Sequence, residues 1–365
     1  MTPSLIPVAR AMREDRGRFA RVRGARVLVY WPHGLGDWVH LGAILPLFEP
    51  SNAYAIVRFG DDYAAIMEND PYVTLLRSGR RAPGSGAELG SVHLGVELRR
   101  LGGRAVTLVV PPPLDTQVRA FAPDTLLWTD YPETEGRTAY PFHTKARNLA
   151  GLIVAEQRLS SFDLSKPLRN SIDFSAPPEA QRSVDERLAA FAPPGTRLCV
   201  ISRAGVTAAR KNWGDGSEAD AFARMLRRDD ARWRVLSMDG DSLGEGTAGY
   251  RDLLGGLDEP FARALKALAA RTALFVGVPA GPLHLVMARG GIPVVGLWLS
   301  HHPDWYDEPN PRAVHLVGNY VRERRFDRRV ASTTKPDSLR HRLHYLDANG
   351  ASGQTVLEAA RSVIG

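Results

Sequence analysis

The sequence predicts an α/β protein with mostly parallel sheets, arranged as two similar halves. Three observations predict it. Apolar runs of strand length alternate with helical patterns along the chain. Three stretches, at residues 26–47, 199–226 and 274–298, follow the order strand, loop, helix. A proline-rich polar stretch, SKPLRNSIDFSAPPEA at 165–180, interrupts the alternation near the middle, and the alternation restarts after it.

In the first half, strands are expected over Arg26–Trp31, Tyr54–Phe59 and Ala105–Val110, and helices over Asp37–Phe48, Asp61–Glu68 and Phe142–Arg158. Arg80–Gly90 is a loop by its glycine, proline and serine content. Pro111–Pro113 makes a rigid loop at a strand end. In the second half, helices are expected over Glu179–Phe191, Ser217–Arg228 and Glu259–Ala270. The last of these carries Phe261, Leu265 and Leu268 at helical spacing, with Asp258 as its cap. Strands are expected over Arg197–Ser202, Arg234–Met238, Ala273–Val276, Pro293–Trp298 and Ala313–Val317. Gln354–Ile364 is amphipathic, with Val356, Leu357, Ala360 and Val363 on one side. The expected boundaries are 1–170 for the first domain, 171–345 for the second and 346–365 for a C-terminal helix.

The most informative stretch is LFVGVPAGPLHLVMARGGIPVVGLW at 274–298. Leu274–Val276 is an apolar run, and Gly277 to Gly281 supplies a turn. Pro282 stands where a first helical residue would, since it lacks an N–H that would be unsatisfied there anyway. Arg289, Gly290 and Gly291 close the helix. A helix opening just past a strand end points free N–H groups and a positive dipole end at whatever binds there, which suits a diphosphate. A plain βαβ unit with a glycine turn has the same pattern. Residues 26–47 repeat the grammar: a strand, the turn Pro32–Gly36, then a helix opening at Asp37. Between them, CVISRAGVTAARKNWGDGSEADAFARML at 199–226 places a basic loop between a strand and a helix.

Strand–GLGD–helix, then S-R…K-N-W, then G-V-x-x-G-x-x-H: this order and spacing resembles glycosyltransferase family 9, the ADP-heptose:lipopolysaccharide heptosyltransferases and their relatives. The resemblance is dispersed over roughly residues 25–300. It implies a GT-B fold, with two Rossmann-like domains facing across a cleft and a terminal helix that crosses back to the first. It implies an inverting, metal-independent transfer of a sugar from a nucleotide-diphosphate sugar, ADP-linked in the relatives, to a hydroxyl of a glycan or glycolipid. No cofactor is implied beyond that co-substrate.

The resemblance also assigns residues. Asp37 matches the carboxylate that takes the acceptor hydroxyl's proton; an Asp there also serves simply as a helix N-cap. Gly34 and Gly36 permit close backbone approach on the acceptor side. His33 stands where many relatives carry a small hydroxyl residue, and a histidine there binds the acceptor or acts as the base itself. His143 and Lys145, at a basic helix start, match the acceptor side. Lys211, before Asn212 and Trp213, matches the lysine that neutralises the departing diphosphate, with Ser202 and Arg203 at the same strand end. Gly281 and His284 match the last two signature positions of the family's third motif. Pro279 and Ala280 replace its acidic and hydroxyl residues, which leaves the backbone N–H groups of Ala280 and Gly281 for the phosphates. Asp239 and Asp241 follow a strand end, where a carboxylate binds ribose hydroxyls or lines a solvated turn. His301 and His302 are adjacent, which is not metal-ligand spacing, so no metal is expected.

Composition bounds the rest. One cysteine, Cys199, excludes an internal disulfide framework and any cysteine-based zinc cluster. No apolar run approaches the ~18 residues of a membrane-spanning helix, and the N-terminus has no signal-like apolar core, so a cytoplasmic protein is expected. Net charge is +7, with arginines concentrated between Arg10 and Arg26 and between Arg322 and Arg329. That excess either forms a solvated face in an arginine-rich protein or suits a peripheral contact with an anionic membrane or a phosphorylated glycolipid. No nucleic-acid module accompanies it. Two other readings keep the fold: a sugar-nucleotide epimerase or hydrolase, and a non-catalytic nucleotide-binding relative. Dinucleotide-dependent oxidoreduction fits poorly, because His33–Asp37 lacks the third glycine of G-x-G-x-x-G.

Overall fold

The structure is a computed structural model. It describes residues 27–30, 35–44, 54–59, 64–68, 73–78, 107–110, 126–129, 170–205, 209–240, 242–300, 303, 310–319, 342–348 and 350–364. These fall into two compact units. The first comprises Met1–Gly34, Leu41–Pro141 and Arg147–Asp173, while Leu35–His40 and Phe174–Gly365 belong to the second. Every strand pairing among the described residues is parallel. Parallel strands lie buried on both faces, which is why so many of them read as unbroken apolar runs.

The first unit holds β1 (Val27–Tyr30), β2 (Tyr54–Phe59), β3 (Val73–Ser78), β4 (Thr107–Val110) and β5 (Leu126–Thr129), in the sheet order β3-β2-β1-β4-β5. The strand order reverses between β1 and β4, the point at which open α/β sheets bind ligands. Helix α1 (Leu35–Ile44) follows β1. The expected helix at Asp61–Glu68 is a single 3-10 turn, Ala64–Met67. Near the end of this unit, Ser171 donates from both its backbone N–H (2.9 Å) and its hydroxyl (3.1 Å) to Gly42 O. The expected helix Phe142–Arg158 and loop Arg80–Gly90 lie outside the described residues.

The second unit carries a seven-stranded sheet. Its strands are β6 (Arg197–Ser202), β7 (Trp233–Ser237), β8 (Thr247–Gly249), β9 (Thr272–Gly277), β10 (Val294–Trp298), β11 (Ala313–Val317) and β12 (Leu343–Tyr345), in the order β12-β11-β10-β9-β6-β7-β8. The reversal lies between β6 and β9. Its helices are α2 (Pro178–Leu188), α3 (Ser217–Asp229), α4 (Tyr250–Leu254), α5 (Phe261–Arg271), α6 (Gly281–Arg289) and α7 (Gly353–Ile364). Asp258 does not cap α5: the cap position falls to Pro260, and no side chain caps that end. Helix α6 begins at Gly281, so Pro282 is its second residue. Gly290 and Gly291, at φ of 70° and 76°, end it in a conformation that L side chains rarely adopt.

One core joins β6, β7, β9, β10 and β11 to α3 and α7, through Ile201, Phe222, Val276, Leu297, Val356 and Ala360 among others. Helix α7 packs on α3 and on the sheet of the second unit. Apolar burial carries it there, and its N-terminus is fixed by Glu218 of α3, whose Oε2 accepts from Gly353 N–H at 2.7 Å. A Cβ at Gly353 would lie 2.7 Å from Glu218 O and 2.8 Å from Phe222 N, both backbone atoms. Gly353→Val is therefore expected to lower stability by about 1–3 kcal/mol, read by urea denaturation. An unchanged midpoint would mean that α3 and α7 do not approach so closely.

Candidate functional site

The C-terminal ends of β6 and β9 lie against each other. Val278 N–H donates to Ser202 O at 2.9 Å, and a Cβ at Gly277 would lie 3.1 Å from the same oxygen. Ser202, the last residue of β6, is buried. The chain then turns through Arg203, Ala204 and Gly205, and Asp239 shapes that turn. Its Oδ2 accepts from Arg203 N–H at 3.0 Å, and its Oδ1 accepts from Ala204 N–H at 3.2 Å. Arg203 Nε lies 3.4 Å from Asp239 Oδ2. Burial pushes the Asp239 carboxyl above the usual carboxylate range, against the opposing pull of those two N–H groups and Arg203.

A raised native pKa means that the folded state holds this proton more tightly than the unfolded chain does. The resulting stability is full below the unfolded pKa and is lost as pH rises through the native one. Wild type is therefore expected to lose stability relative to Asp239→Asn as pH rises above the ordinary carboxylate range of about 4. Urea melts of both proteins across that rise measure it, and parallel profiles would contradict it.

Lys211 ends a short 3-10 turn, Ala209–Lys211. The two residues after it anchor it. Asn212 Oδ1 accepts from Gly205 N–H at 2.9 Å, and Trp213 N–H donates to Arg203 O at 2.7 Å. Trp213 is buried in the core, 6.2 Å from the Phe222 ring, and its indole N–H donates to Ala351 O at 2.7 Å, just ahead of α7. Lys211 thus lies beside the β6 turn, its Cδ 3.8 Å from where a Cβ at Gly205 would stand; Ala280 Cβ lies 3.9 Å from the same point. Ala280 is the cap residue of α6 and has extended backbone. No side chain caps α6, its first turn holds no acidic residue, and His284 N–H is the donor to Ala280 O at 3.2 Å. The Lys211 side chain and the uncapped start of α6 therefore both lie beside Gly205, and free N–H groups near a cation are the chemistry of an anion site.

The start of α1 packs on the start of α6. A Cβ at Gly281 would lie 2.7 Å from Leu35 Cβ, and one at Gly36 would lie 2.6 Å from His284 Cδ2. The room Gly36 leaves is thus taken by an imidazole of the same unit. His284 is buried, its ring edge-on to His40 at 4.8 Å and to Trp298 at 6.3 Å. Asp37 is the third residue of α1, two positions inside its start. The N-cap alternative for Asp37 is corrected accordingly.

His33, Gly34, His143, Lys145, Asp241, His301 and His302 lie outside the described residues. Sequence reasoning missed Asn212 and Trp213 as anchors of Lys211; a tryptophan in a polar loop was the available signal. It also missed Trp298 and His315. Among the described residues, no group of three or more His, Cys, Asp or Glu side chains stands together as a metal site, and no helix is long and apolar enough to cross a membrane. Cys199 is fully buried, and burial pushes its thiol far up.

Two units in one chain, each with its strand order reversing beside its first strand, define the class as a two-domain, doubly wound α/β protein. Solved structures carry the comparison further. The chain has the fold of the glycosyltransferase family 9 structure from Veillonella parvula, with a TM-score of 0.61 at 15% identity over 93% of this chain and 97% of that one. It is similar to the E. coli ADP-heptose lipopolysaccharide heptosyltransferase II, at TM-score 0.62 and 13% identity over 93% and 98% of the two chains. It is also similar to the E. coli heptosyltransferase WaaC with ADP-2-deoxy-2-fluoro heptose, at TM-score 0.51 and 12% identity over 92% and 99%. No protein-family model and no curated protein sequence matches the chain.

Proposed function

We propose that this chain is an inverting, metal-independent glycosyltransferase that moves a sugar from a nucleotide-diphosphate sugar to a hydroxyl of a glycan or glycolipid. The observation that carries the reading is the neighbourhood of Lys211, the Arg203–Gly205 turn and the uncapped start of α6, at the strand-order reversal of the second sheet. In the reaction, the acceptor hydroxyl attacks the anomeric carbon and gives its proton to the Asp37 carboxylate. The bond from that carbon to the diphosphate oxygen breaks, and its electron pair leaves with the nucleoside diphosphate. Lys211 and the N–H groups of the α6 turn offset the charge that develops on the leaving group. His33, Gly34, His143 and Lys145 are assigned to the acceptor, and Ser202, Arg203, Asp239, Asp241, Ala280, Gly281 and His284 to the donor.

An ADP-linked donor is favoured, because the WaaC structure of the same fold holds an ADP-linked heptose analogue. The arginine-rich segments suit an acceptor at an anionic membrane surface. Calorimetry with ADP, UDP, GDP and dTDP, without added metal, tests the reading. One nucleotide is expected to bind at micromolar strength, and Lys211→Ala to weaken it by about 10-fold or more, the loss of a charge-assisted phosphate contact. Folded protein that binds none of the four would move the reading to a non-catalytic relative, which the apolar Pro279–Ala280 turn would then explain.

A further inference from the structure

His284 is one member of a buried row of rings that runs across the second unit. His40 stands on one side of it, and Trp298 on the other. Trp298 ends β10 and is 1% exposed, as is His315 in the middle of β11. Their rings are 5.7 Å apart at 68°, and Trp298 Nε1 lies 2.9 Å from His315 Nδ1. An indole N–H only donates, so His315 Nδ1 accepts and the neutral ring carries its proton on Nε2.

The strands are built to allow this bond. His315 pairs with Gly296, two residues before Trp298 on the same face of β10. A Cβ at Gly296 would stand 2.6 Å from Trp298 Nε1 and 2.9 Å from His315 Nδ1. On the far side of the row, Gly36 makes the same kind of room for His284. Two glycines thus clear the space in which the imidazoles and the indole are held.

We propose that Trp298 and His315 are positioning residues for His284. His315 fixes the plane of the Trp298 indole, and the indole fixes the imidazole of His284 at the first turn of α6. This rests on the reading of that turn as the donor site. The function of the pair is to hold His284 ordered before the nucleotide arrives, so that binding does not have to order it. Ordering one such side chain costs about 0.5–1.5 kcal/mol, which corresponds to roughly 2- to 12-fold in affinity.

The test uses the full chain, with ADP as probe, and two readouts. The first is ADP affinity in a double-mutant cycle of His284→Ala and His315→Leu, with His315→Asn as the conservative variant, whose Oδ1 replaces Nδ1 as acceptor for the indole. We expect His315→Leu to weaken ADP roughly 2- to 12-fold in wild type but not in the His284→Ala background, and His315→Asn to restore most of the affinity. The second readout needs no nucleotide. The ring signals of His284, assigned by their loss in His284→Ala, should shift or broaden in His315→Leu and in Trp298→Phe while the fold is retained. Equal losses in both backgrounds, or His284 signals that ignore His315→Leu, would overturn the proposal. If wild type binds no ADP but the His284 signals respond, the donor-site reading falls and the positioning stands.

Discussion

Trp213→Ala is expected to lower stability by about 3–5 kcal/mol, the range for emptying a buried aromatic site. The side chain is 1% exposed and packs into the core that joins β6, α3 and α7. Its loss leaves Ala351 O without the indole N–H, at a buried position between the Lys211 loop and the C-terminal helix. Trp213→Phe separates the two contributions. It keeps most of the ring and loses only the donor, at about 1–3 kcal/mol for the carbonyl left unsatisfied. Because Trp213 also anchors the residue beside it, Trp213→Phe should weaken nucleotide binding in protein that remains folded. Urea melts and calorimetry on the same preparations measure both. A Phe variant that loses stability but binds nucleotide as wild type does would confine Trp213 to the core.

Asp37→Ala is expected to lower turnover by about 10²–10⁴-fold, the usual contribution of a general base, with nucleotide affinity retained. Retention follows from its place on α1: the residues assigned to the diphosphate come from the β6 turn, the Lys211 loop and α6. A purely structural aspartate in a first helical turn contributes about 0.3–1 kcal/mol through the dipole and leaves turnover nearly unchanged. Turnover close to wild type, or loss of nucleotide binding by folded Asp37→Ala, would remove the catalytic role.

The architecture was legible because buried parallel strands announce themselves. β2, β6 and β11 fall on the expected residues, and β7, β9 and β10 come within one residue at each end. The strands that escaped notice lack that signature. β8 is Thr-Ala-Gly, and β12 is Leu-His-Tyr with two exposed residues. β3 and β5 lie at the two edges of the first sheet, and their runs are short or end in polar residues. Helix α1 starts earlier than expected because Gly36 was read as turn. Its missing side chain instead serves packing, by admitting His284.

The site was legible as residue types and less so as partnerships. Lys211, Asn212 and Trp213 were found together, but only folding brings Trp213 to Ala351, 138 residues away. In the sequence, Asp239 suits either a ribose ligand or a solvated turn. In the structure both its oxygens hold backbone N–H groups 35 and 36 positions earlier, a relation no local pattern encodes. His315 offered a signal that passed unread: a histidine in the middle of AVHLV is a polar residue where a buried strand wants none.

The second unit is expected to bind a nucleoside diphosphate where β6 and β9 meet. A crystal structure of the chain with ADP tests it most directly. The diphosphate is expected between the Lys211 ammonium and the first turn of α6, with the Arg203–Gly205 turn beside it. ADP bound elsewhere, with Lys211 and that turn untouched, would contradict it.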